Sequence, residues 1–307
     1  MATPTSPGTA SALPHDPLWP RAGDWPALAE GTGQLDAVLV GLGTHATSLS
    51  ATRAGETPAA MREALRRYSP FAHDPGAPLG RLRLADAGDA SDPDGDEECA
   101  IALVARATAR ARLVIALGGD NAATVPAALG TWGDAIGTAG LVTLDAHYDL
   151  RDGRSNGSPV RRLLEAGLDG ARVVQLGIQD FANSAAYAER AREAGITVVS
   201  RAELEARPLA EVVGEAVEVA GAAGGPVHVD IDVDACDRSV APGCPASTPG
   251  GISAWQLRSI VRGLVADPSV RSIDFTEVDA TTDVADGRTV RLVALGVLEA
   301  LAGLASR

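Results

Sequence analysis

Residues 226–251 read PVHVDIDVDACDRSVAPGCPASTPGG, and the core of this stretch is the acidic group Asp232, Asp234 and Asp237. Residues 226–233 alternate β-branched and polar side chains, which predicts a β-strand. Side chains two positions apart in a strand project from the same face, so we expect Asp232 and Asp234 to lie side by side. Neighbouring carboxylates repel each other and are costly to desolvate unless a cation lies between them. A lone Asp-x-Asp motif more often marks a solvated strand end, so a metal site needs support from elsewhere in the chain.

That support comes from residues 140–149, which read GLVTLDAHYD. An apolar strand is followed there by Asp145, His147 and Asp149 at alternate positions, so these side chains project to one side or cluster just past the strand end. Carboxylate and imidazole groups bind divalent metals such as manganese. A single histidine is more often structural than a ligand, but two flanking aspartates favour ligation here.

Two shorter motifs complete a pattern that covers most of the chain. Residues 118–121 read GGDN, and residues 274–277 read DFTE. The order GGDN, DAHYD, DVDACDRSVAPG and DFTE resembles the ureohydrolases, the family of arginase, agmatinase and formimidoylglutamase. Their signatures are GGDH, DAHxD, DxDxxDxxxAPG and a late strand with a glutamate. The order and spacing are similar from about residue 36 to the last residue.

The resemblance implies a metal-dependent hydrolase that cleaves a C–N bond of a linear amidine or guanidine. It implies two Mn²⁺ ions and a bridging water that attacks the substrate carbon. Asp149 would hydrogen-bond the nucleophile and pass its proton to the leaving nitrogen, and Glu277 would pair with the cationic amidinium. The implied metal ligands that this chain retains are Asp145, His147, Asp149, Asp232 and Asp234.

One position departs from the family pattern. The histidine that follows Gly-Gly-Asp in the family is a metal ligand, and this chain has Asn121 there. An amide oxygen binds a hard cation more weakly than imidazole does, without any gain from charge. Three alternatives stay open: Asn121 still ligates, carboxylates and water hold the first metal without it, or one site is empty. We favour a first metal that is retained but weakened, with Asn121 among its ligands.

The loop after the DAHYD motif bears on the substrate. Residues 150–161 read LRDGRSNGSPVR, whereas arginases and agmatinases usually have His-Gly in this loop. The Ser-Asn-Gly-Ser-Pro form resembles formimidoylglutamases of histidine degradation, and so do residues 177–184. The resemblance predicts hydrolysis of N-formimidoyl-L-glutamate to L-glutamate and formamide. Because that substrate has two carboxylates, we expect donors at Arg151, Arg154, Asn156 and Arg161, together with Glu277 for the amidinium.

Two other functions remain open from the sequence alone. A guanidino-acid hydrolase of the agmatinase or guanidinobutyrase type would release urea in place of formamide. A metal-poor, non-catalytic relative would bind little metal, and Asn121 is the residue that raises this alternative. A metal count and the identity of the product separate the three functions.

Composition excludes several classes of partner. The chain has 26 basic and 40 acidic residues and a formal net charge of −14, which argues against nucleic acid and anionic membranes. Three cysteines are too few for a disulfide framework, so we expect a cytoplasmic protein. The partner that we expect is a small-molecule substrate. The family resemblance implies a homo-oligomer, a trimer or hexamer.

Strand-like and helix-like segments alternate along the chain, which predicts an α/β protein. We expect a three-layer α/β/α arginase-like fold with a central, mostly parallel sheet, and with every candidate ligand at the carboxyl end of a strand. Residues 1–34 are predicted as a mobile arm rich in Pro, Ser and Thr, and 35–307 as a single catalytic domain. The predicted strands span residues 35–43, 113–119, 141–146, 172–178, 196–200, 226–233 and 270–278. A long helical stretch is expected over 203–222.

Overall fold

The computed structural model describes residues 16–31, 33–73 and 79–307. Within these residues the β-strands are β1 (Leu35–Leu42), β2 (Leu84–Asp89), β3 (Ala111–Gly118), β4 (Gly140–Leu144), β5 (Val173–Ile178), β6 (Thr197–Ser200), β7 (Val227–Asp232) and β8 (Val270–Thr276). The α-helices are α1 (Thr57–Leu65), α2 (Glu97–Thr108), α3 (Thr124–Trp132), α4 (Pro159–Glu165), α5 (Ala185–Ala194), α6 (Arg201–Ala206), α7 (Leu209–Ala220), α8 (Ala254–Val265) and α9 (Arg288–Ala305). None of these helices combines the length and the apolar character that crossing a bilayer requires.

The eight strands form one sheet in the order β2-β1-β3-β8-β7-β4-β5-β6, and every neighbouring pair is parallel. Helices α1 and α6–α9 pack into a hydrophobic cluster on one face. Helices α2–α5 pack into two clusters on the other face. Central strands such as β4 are buried along their whole length, because helices cover both faces. The predicted three-layer α/β/α fold is therefore confirmed, with a sheet that is entirely parallel.

Two elements differ from the sequence prediction. Strand β2 was not expected, because only Ala85 of its six residues is buried and its sequence, LADAGD, lacks an apolar run. Such a strand is tolerated at the edge of the sheet, where it pairs with a neighbouring strand on one side only. The helical stretch predicted over 203–222 is instead divided into α6 and α7 at Pro208, which lacks an N–H group and disfavours helix in the residue before it.

Part of the segment that was predicted as an arm contacts the domain. The side chain of Ala22 is buried, Trp25 packs against the main hydrophobic cluster, and Ala27 forms an isolated parallel bridge to Asp86 in β2. Residues 1–15 lie outside the described part of the chain. The domain boundary at residue 35 stays a prediction.

The strand order brings four chain segments to one place. Strands β3, β8, β7 and β4 are neighbours in the centre of the sheet, although the chain visits them in the order β3, β4, β7, β8. At the carboxyl ends of these strands, β3 is followed by Asn121, β4 by Asp145, β7 by Asp234 and β8 by Glu277. Parallel α/β sheets form their binding sites beyond the carboxyl ends of their strands, at the point where the strand order reverses.

Candidate metal centre and active site

Three of the predicted ligands form a compact cluster at the carboxyl edge. Ligand atoms of Asp145, His147 and Asp234 all lie within 4.8 Å of one another. Nδ1 of His147 is 2.7 Å from Oδ2 of Asp234 and 3.5 Å from Oδ1 of Asp145. Both carboxylates are buried, whereas the imidazole is partly exposed. The structure thus brings together residues that are far apart in sequence: Ala146, which lies between Asp145 and His147, is 88 positions from Asp234.

Backbone amides hold the carboxylates in place. The His147 N–H donates to Oδ1 of Asp145 at 2.6 Å, and the Ala146 N–H donates to Oδ1 of Asp234 at 3.0 Å. Oδ1 of Asp232 accepts from the Asp234 N–H at 2.8 Å. Strand β7 ends at Asp232, so Asp234 reaches the cluster through the 3₁₀ turn Val233–Ala235. Asp232 and Asp234 both line the site, as predicted. The 3₁₀ turn places them there, and not the alternating side-chain directions of a continuous strand.

Asn121 lies beside Asp149 in the interior of the site. Its Nδ2 donates to Oδ2 of Asp149 at 2.6 Å, and its Oδ1 accepts from the hydroxyls of Thr124 and Thr276 at 2.8 Å and 2.9 Å. The nitrogen of the amide therefore faces the predicted ligand Asp149. A ligand role for Asn121 would need the amide turned over, which the two hydroxyls permit because each can either donate or accept. Its role as a ligand stays a prediction.

Burial and mutual repulsion disfavour the charged forms of three of these carboxylates, whereas the adjacent His147 outweighs burial at Asp234 and lowers the pKa of that carboxyl. Burial, reinforced by the negative charge of Asp234, raises the pKa of Asp145 to about 6. Burial and the charge of Asp145 raise the pKa of Asp149 well above its usual range, and burial and Asp234 do the same for Asp232. Burial alone would lower the pKa of His147, but its carboxylate neighbours outweigh burial and raise that pKa to about 12.

The donor set fits a divalent cation. Oδ2 of Asp145 is buried without a hydrogen-bond partner, so one carboxylate oxygen of the cluster is left with no compensating interaction. The remaining donors are carboxylate oxygens and one imidazole nitrogen, which is the mixture that suits Mn²⁺. A cation among them would offset the repulsion that raises the pKa values of these carboxyls.

A cavity of about 490 Å³ opens above the cluster. Its walls combine carboxylates of the cluster with polar residues of the loop that follows β4. The predicted site residues that line it are His147, Asp149, Arg151, Asn156, Asp232, Asp234 and Glu277.

Glu277 occupies a fixed position on the cavity wall. Its Oε1 accepts hydrogen bonds from the Asn121 N–H at 3.0 Å and from Nδ2 of Asn156 at 2.6 Å. Oδ1 of Asn156 in turn accepts from the Leu49 N–H at 3.0 Å, which joins the wall to a loop at the cavity mouth. Burial raises the pKa of Glu277 to about 8, against the opposing effect of the Asn156 hydrogen bond. A cationic group in the cavity would favour the ionised carboxylate.

The three predicted arginines occupy different environments. Arg154 pairs with Glu97 and does not line the cavity. Arg161, in the first turn of α4, donates from Nε to the carbonyl of Arg151 at 2.5 Å, and its two terminal nitrogens bind Gly153 O and Glu165. The structure does not bring Arg161 to the cavity, because this guanidinium folds back onto its own loop. Arg151 lines the cavity, and within the described residues its guanidinium has no side-chain hydrogen bond or ion pair. The geometry therefore favours Arg151 as the cationic contact.

Sequence reasoning missed several residues of the site. Leu49 and Phe181 line the cavity mouth, and a lone apolar residue in a loop gives no signal of that role. Thr124 and Thr276 hold the Asn121 amide, which only the spatial arrangement could reveal. Asn183, within residues 177–184, holds the backbone on both sides of His147: its side chain accepts from the Tyr148 N–H at 3.1 Å and donates to Ala146 O at 2.8 Å.

We predict that removing a predicted metal ligand, either the imidazole of His147 or the carboxylate of Asp232, lowers metal content. Elemental analysis after manganese loading should find metal in the wild type and clearly less in His147→Ala and Asp232→Ala, because each loses a donor atom. Asp180→Ala is the matched control, since Asp180 is an exposed acid that neither lines the cavity nor belongs to the predicted ligands. Equal metal content in all four proteins would rule out this site.

We also predict that manganese stabilises the protein more at high pH than at low pH. The pKa values of Asp145 and Glu277 are raised from 3.8 and 4.5 to about 6 and about 8. A raised carboxyl pKa gives stability that is complete below the unfolded value and is lost as pH rises through the folded value. The Tm of metal-free protein should therefore decrease as the pH rises from about 4 to about 8. Thermal unfolding with and without Mn²⁺ should show the larger gain at pH 8, because ligands bind metal when deprotonated. An equal or smaller gain at pH 8 would contradict this account.

Comparison with known proteins agrees with the geometry. The sequence model of the Arginase family matches residues 35–303. The formimidoylglutamase of Halalkalibacterium halodurans is 34% identical over 278 residues, which cover 86% of each chain. A guanidinobutyrase of Pseudomonas aeruginosa is 33% identical over 242 residues, covering 75% of this chain and 74% of the relative.

Solved structures give the same result. The crystal structure of formimidoylglutamase from Bacillus subtilis superposes with a TM-score of 0.88 at 28% identity, covering 97% of this chain and 96% of that chain. A structure of Trypanosoma cruzi formiminoglutamase with Mn²⁺ superposes with a TM-score of 0.81 at 26% identity, covering 89% and 94% of the two chains. With the fold, the motif order and a family match over most of its length, this chain belongs to the arginase family.

Proposed function

We propose that this protein is a manganese-dependent hydrolase that converts N-formimidoyl-L-glutamate to L-glutamate and formamide, a step of histidine degradation. One observation supports this function above all. The cavity combines a carboxylate and imidazole cluster at its base, Glu277 on its wall and Arg151 at its mouth, whose guanidinium has no partner among the described residues. This arrangement suits a substrate with an amidinium at one end and carboxylates at the other.

The metal centre in this proposal holds two ions. Asp145, His147, Asp149, Asp232 and Asp234 would hold them, with Asn121 beside the first ion as a weak ligand. Bound Mn²⁺ supplies a Lewis acid that lowers the pKa of water enough to provide a nucleophile near neutral pH.

Glu277 is the proposed partner of the substrate amidinium. Two hydrogen bonds from the protein already occupy its Oε1, which leaves Oε2 for the substrate. A carboxylate–amidinium hydrogen bond is charge-assisted and therefore stronger than a neutral one. Because Asn121 and Asn156 fix the carboxylate, the amidinium carbon would be held in one orientation over the cluster, which lowers the entropy cost of the attack.

Asp149 is the proposed proton carrier. Its Oδ2 accepts from Asn121, so Oδ1 is the oxygen that could face the attacking water. Water adds to the amidinium carbon, and the carboxylate takes its proton. The same proton then goes to the glutamate nitrogen as the C–N bond breaks, which restores the Asp149 carboxylate. The hydroxyl proton of the adduct leaves as the formamide carbonyl forms and ends on the released amine, so the products are neutral formamide and the ammonium form of glutamate. General acid–base transfer of this kind works best when the pKa of the group lies near the working pH.

Substrate selection in this proposal depends on the loop after β4. Arg151 would bind a carboxylate of the substrate, and the second N–H of Asn156 would be available to it as a further donor. Arg161 would act indirectly, because its guanidinium holds the carbonyls of Arg151 and Gly153.

The alternative within the family is hydrolysis of a guanidino acid, and the guanidinobutyrase relative favours it. That reaction would release urea. A metal-poor, non-catalytic protein is the alternative from another class, and a manganese count close to zero would support it. We further propose that the protein is cytoplasmic and forms a homo-oligomer, a trimer or hexamer, without nucleic-acid or membrane partners.

We predict that manganese-loaded protein releases formamide from N-formimidoyl-L-glutamate in preference to urea from arginine or agmatine. Glu277→Gln should lower kcat by about 100-fold, the scale of losing one preorganised electrostatic contact to the reacting group. Arg151→Ala should mainly raise KM, because a carboxylate contact is equally strong in the ground and transition states. Arg154→Ala is the matched control, since Arg154 pairs with Glu97 outside the cavity.

The product assay also tests the alternative. Efficient urea release from a guanidino acid, with no formamide from N-formimidoyl-L-glutamate, would assign the protein to the guanidino-acid hydrolases.

We predict that Asn121→His raises manganese affinity by about 10-fold, the low end of what a changed ligand environment costs. Imidazole is a stronger donor than a neutral amide, and the shared carboxylates are unchanged in the variant. Isothermal titration with Mn²⁺ measures the change. An affinity that stays equal or falls would mean that Asn121 serves through its hydrogen bond to Asp149 and not as a ligand.

A further inference from the structure

The described part of the chain contains three non-glycine residues with left-handed backbone, and all three line the same cavity. They are Asp149, Phe181 and Glu277, with φ angles of 53°, 64° and 58°. Strained backbone of this kind persists only where the surrounding structure enforces it, and it is concentrated at functional sites. Asp149 and Glu277 already have proposed catalytic roles. Phe181 has none.

Phe181 is the most unusual of the three. Aspartate tolerates the left-handed region better than most residues, whereas a bulky aromatic residue there is a true outlier. Its relative exposure is 104%, so the ring has almost no contact with the rest of the chain. Neither backbone preference nor packing within the chain accounts for a phenylalanine at this position.

The loop around Phe181 is fixed on both sides. Before it, the Gln179 N–H donates to Ala146 O at 3.1 Å, and Oε1 of Gln179 accepts from the Thr248 hydroxyl at 2.7 Å. After it, the side chain of Asn183 accepts from the Tyr148 N–H and donates to Ala146 O. Both anchors are attached to the backbone that presents His147, so the exposed ring has a fixed position relative to the metal cluster.

An aliphatic side chain lies on the same cavity mouth. Leu49 is 58% exposed, and its N–H is held by Asn156, which also holds Glu277. Of the large hydrophobic side chains that are exposed in the described residues, Leu49 and Phe181 are the two that line this cavity. The cavity thus has a polar base and an apolar pair at its mouth.

We propose that Phe181 is a specificity-determining residue whose ring covers the two side-chain methylenes of bound N-formimidoyl-L-glutamate, with Leu49 as the second apolar contact. This inference rests on the proposed function. With the amidinium at Glu277 and one of the two carboxylates at Arg151, the methylenes are the apolar part of the substrate, and burying them against the ring gives binding energy. The contact is the same in the ground and transition states, so it acts on KM.

The test compares Phe181→Gly with the wild type on two substrates. Glycine removes the ring and also adopts positive φ without strain. We expect KM for N-formimidoyl-L-glutamate to rise about 10-fold, the scale of a lost apolar contact in a binding pocket, with kcat within about twofold. KM for N-formimidoylglycine, which lacks the methylenes, should not change. The Tm of the variant should rise, because the strain is relieved.

Two further variants separate a contact from a general effect on the fold. Phe181→Leu keeps an apolar side chain and should restore most of the affinity. Phe71→Gly removes another exposed phenylalanine, which does not line the cavity, and should leave KM unchanged for both substrates.

Each outcome has a separate meaning. An unchanged KM for N-formimidoyl-L-glutamate in Phe181→Gly, with normal wild-type turnover, overturns the role of Phe181 alone. If light scattering then also finds a smaller assembly for this variant, the ring contacts a second copy of the chain and not the substrate. If the wild type shows no turnover of N-formimidoyl-L-glutamate, the proposed function and this inference fail together.

Discussion

Electrostatic repulsion among buried carboxylates is the constraint on which the site depends. Asp145, Asp149, Asp232, Asp234 and Glu277 are all buried at one edge of the sheet. Ion–ion repulsion and loss of solvation both act against their ionised forms, and the upward pKa shifts of four of these groups express that cost. The imidazole of His147 offsets only part of the cost of ionising these carboxylates. Divalent cations would remove most of the repulsion, so the same feature that destabilises the empty site favours metal binding.

The parallel sheet makes this concentration of charge possible. Four adjacent central strands end at the same edge, and each is buried by helices on both faces, so the segments that follow them start from fixed positions. Backbone N–H groups then orient the carboxylates, as with the Ala146 N–H and Asp234. Left-handed backbone at Asp149 and Glu277 turns these side chains toward the cavity, at a conformational cost that the rigid sheet can sustain.

Much of this arrangement was predictable from the sequence, because it follows from local patterns. Apolar strands that end in acidic residues predicted the parallel sheet and the meeting of Asp145 with Asp234. The prediction failed where long-range packing decides the outcome. Strand β2 has too few apolar residues to be recognised, and it exists because β1 offers it an edge. Arg161 is close in sequence to the cavity loop, but the start of α4 directs its guanidinium back to the Arg151 carbonyl. The left-handed Phe181 has no signature in composition or periodicity.

Diffraction from manganese-loaded crystals, with anomalous data collected near the manganese edge, tests the central claim most directly. The account predicts two anomalous peaks between the carboxylates of Asp145, Asp149, Asp232 and Asp234, with His147 at one of them and the weaker peak on the side of Asn121. The absence of any peak in this cluster at saturating Mn²⁺, with an unchanged fold, would contradict it.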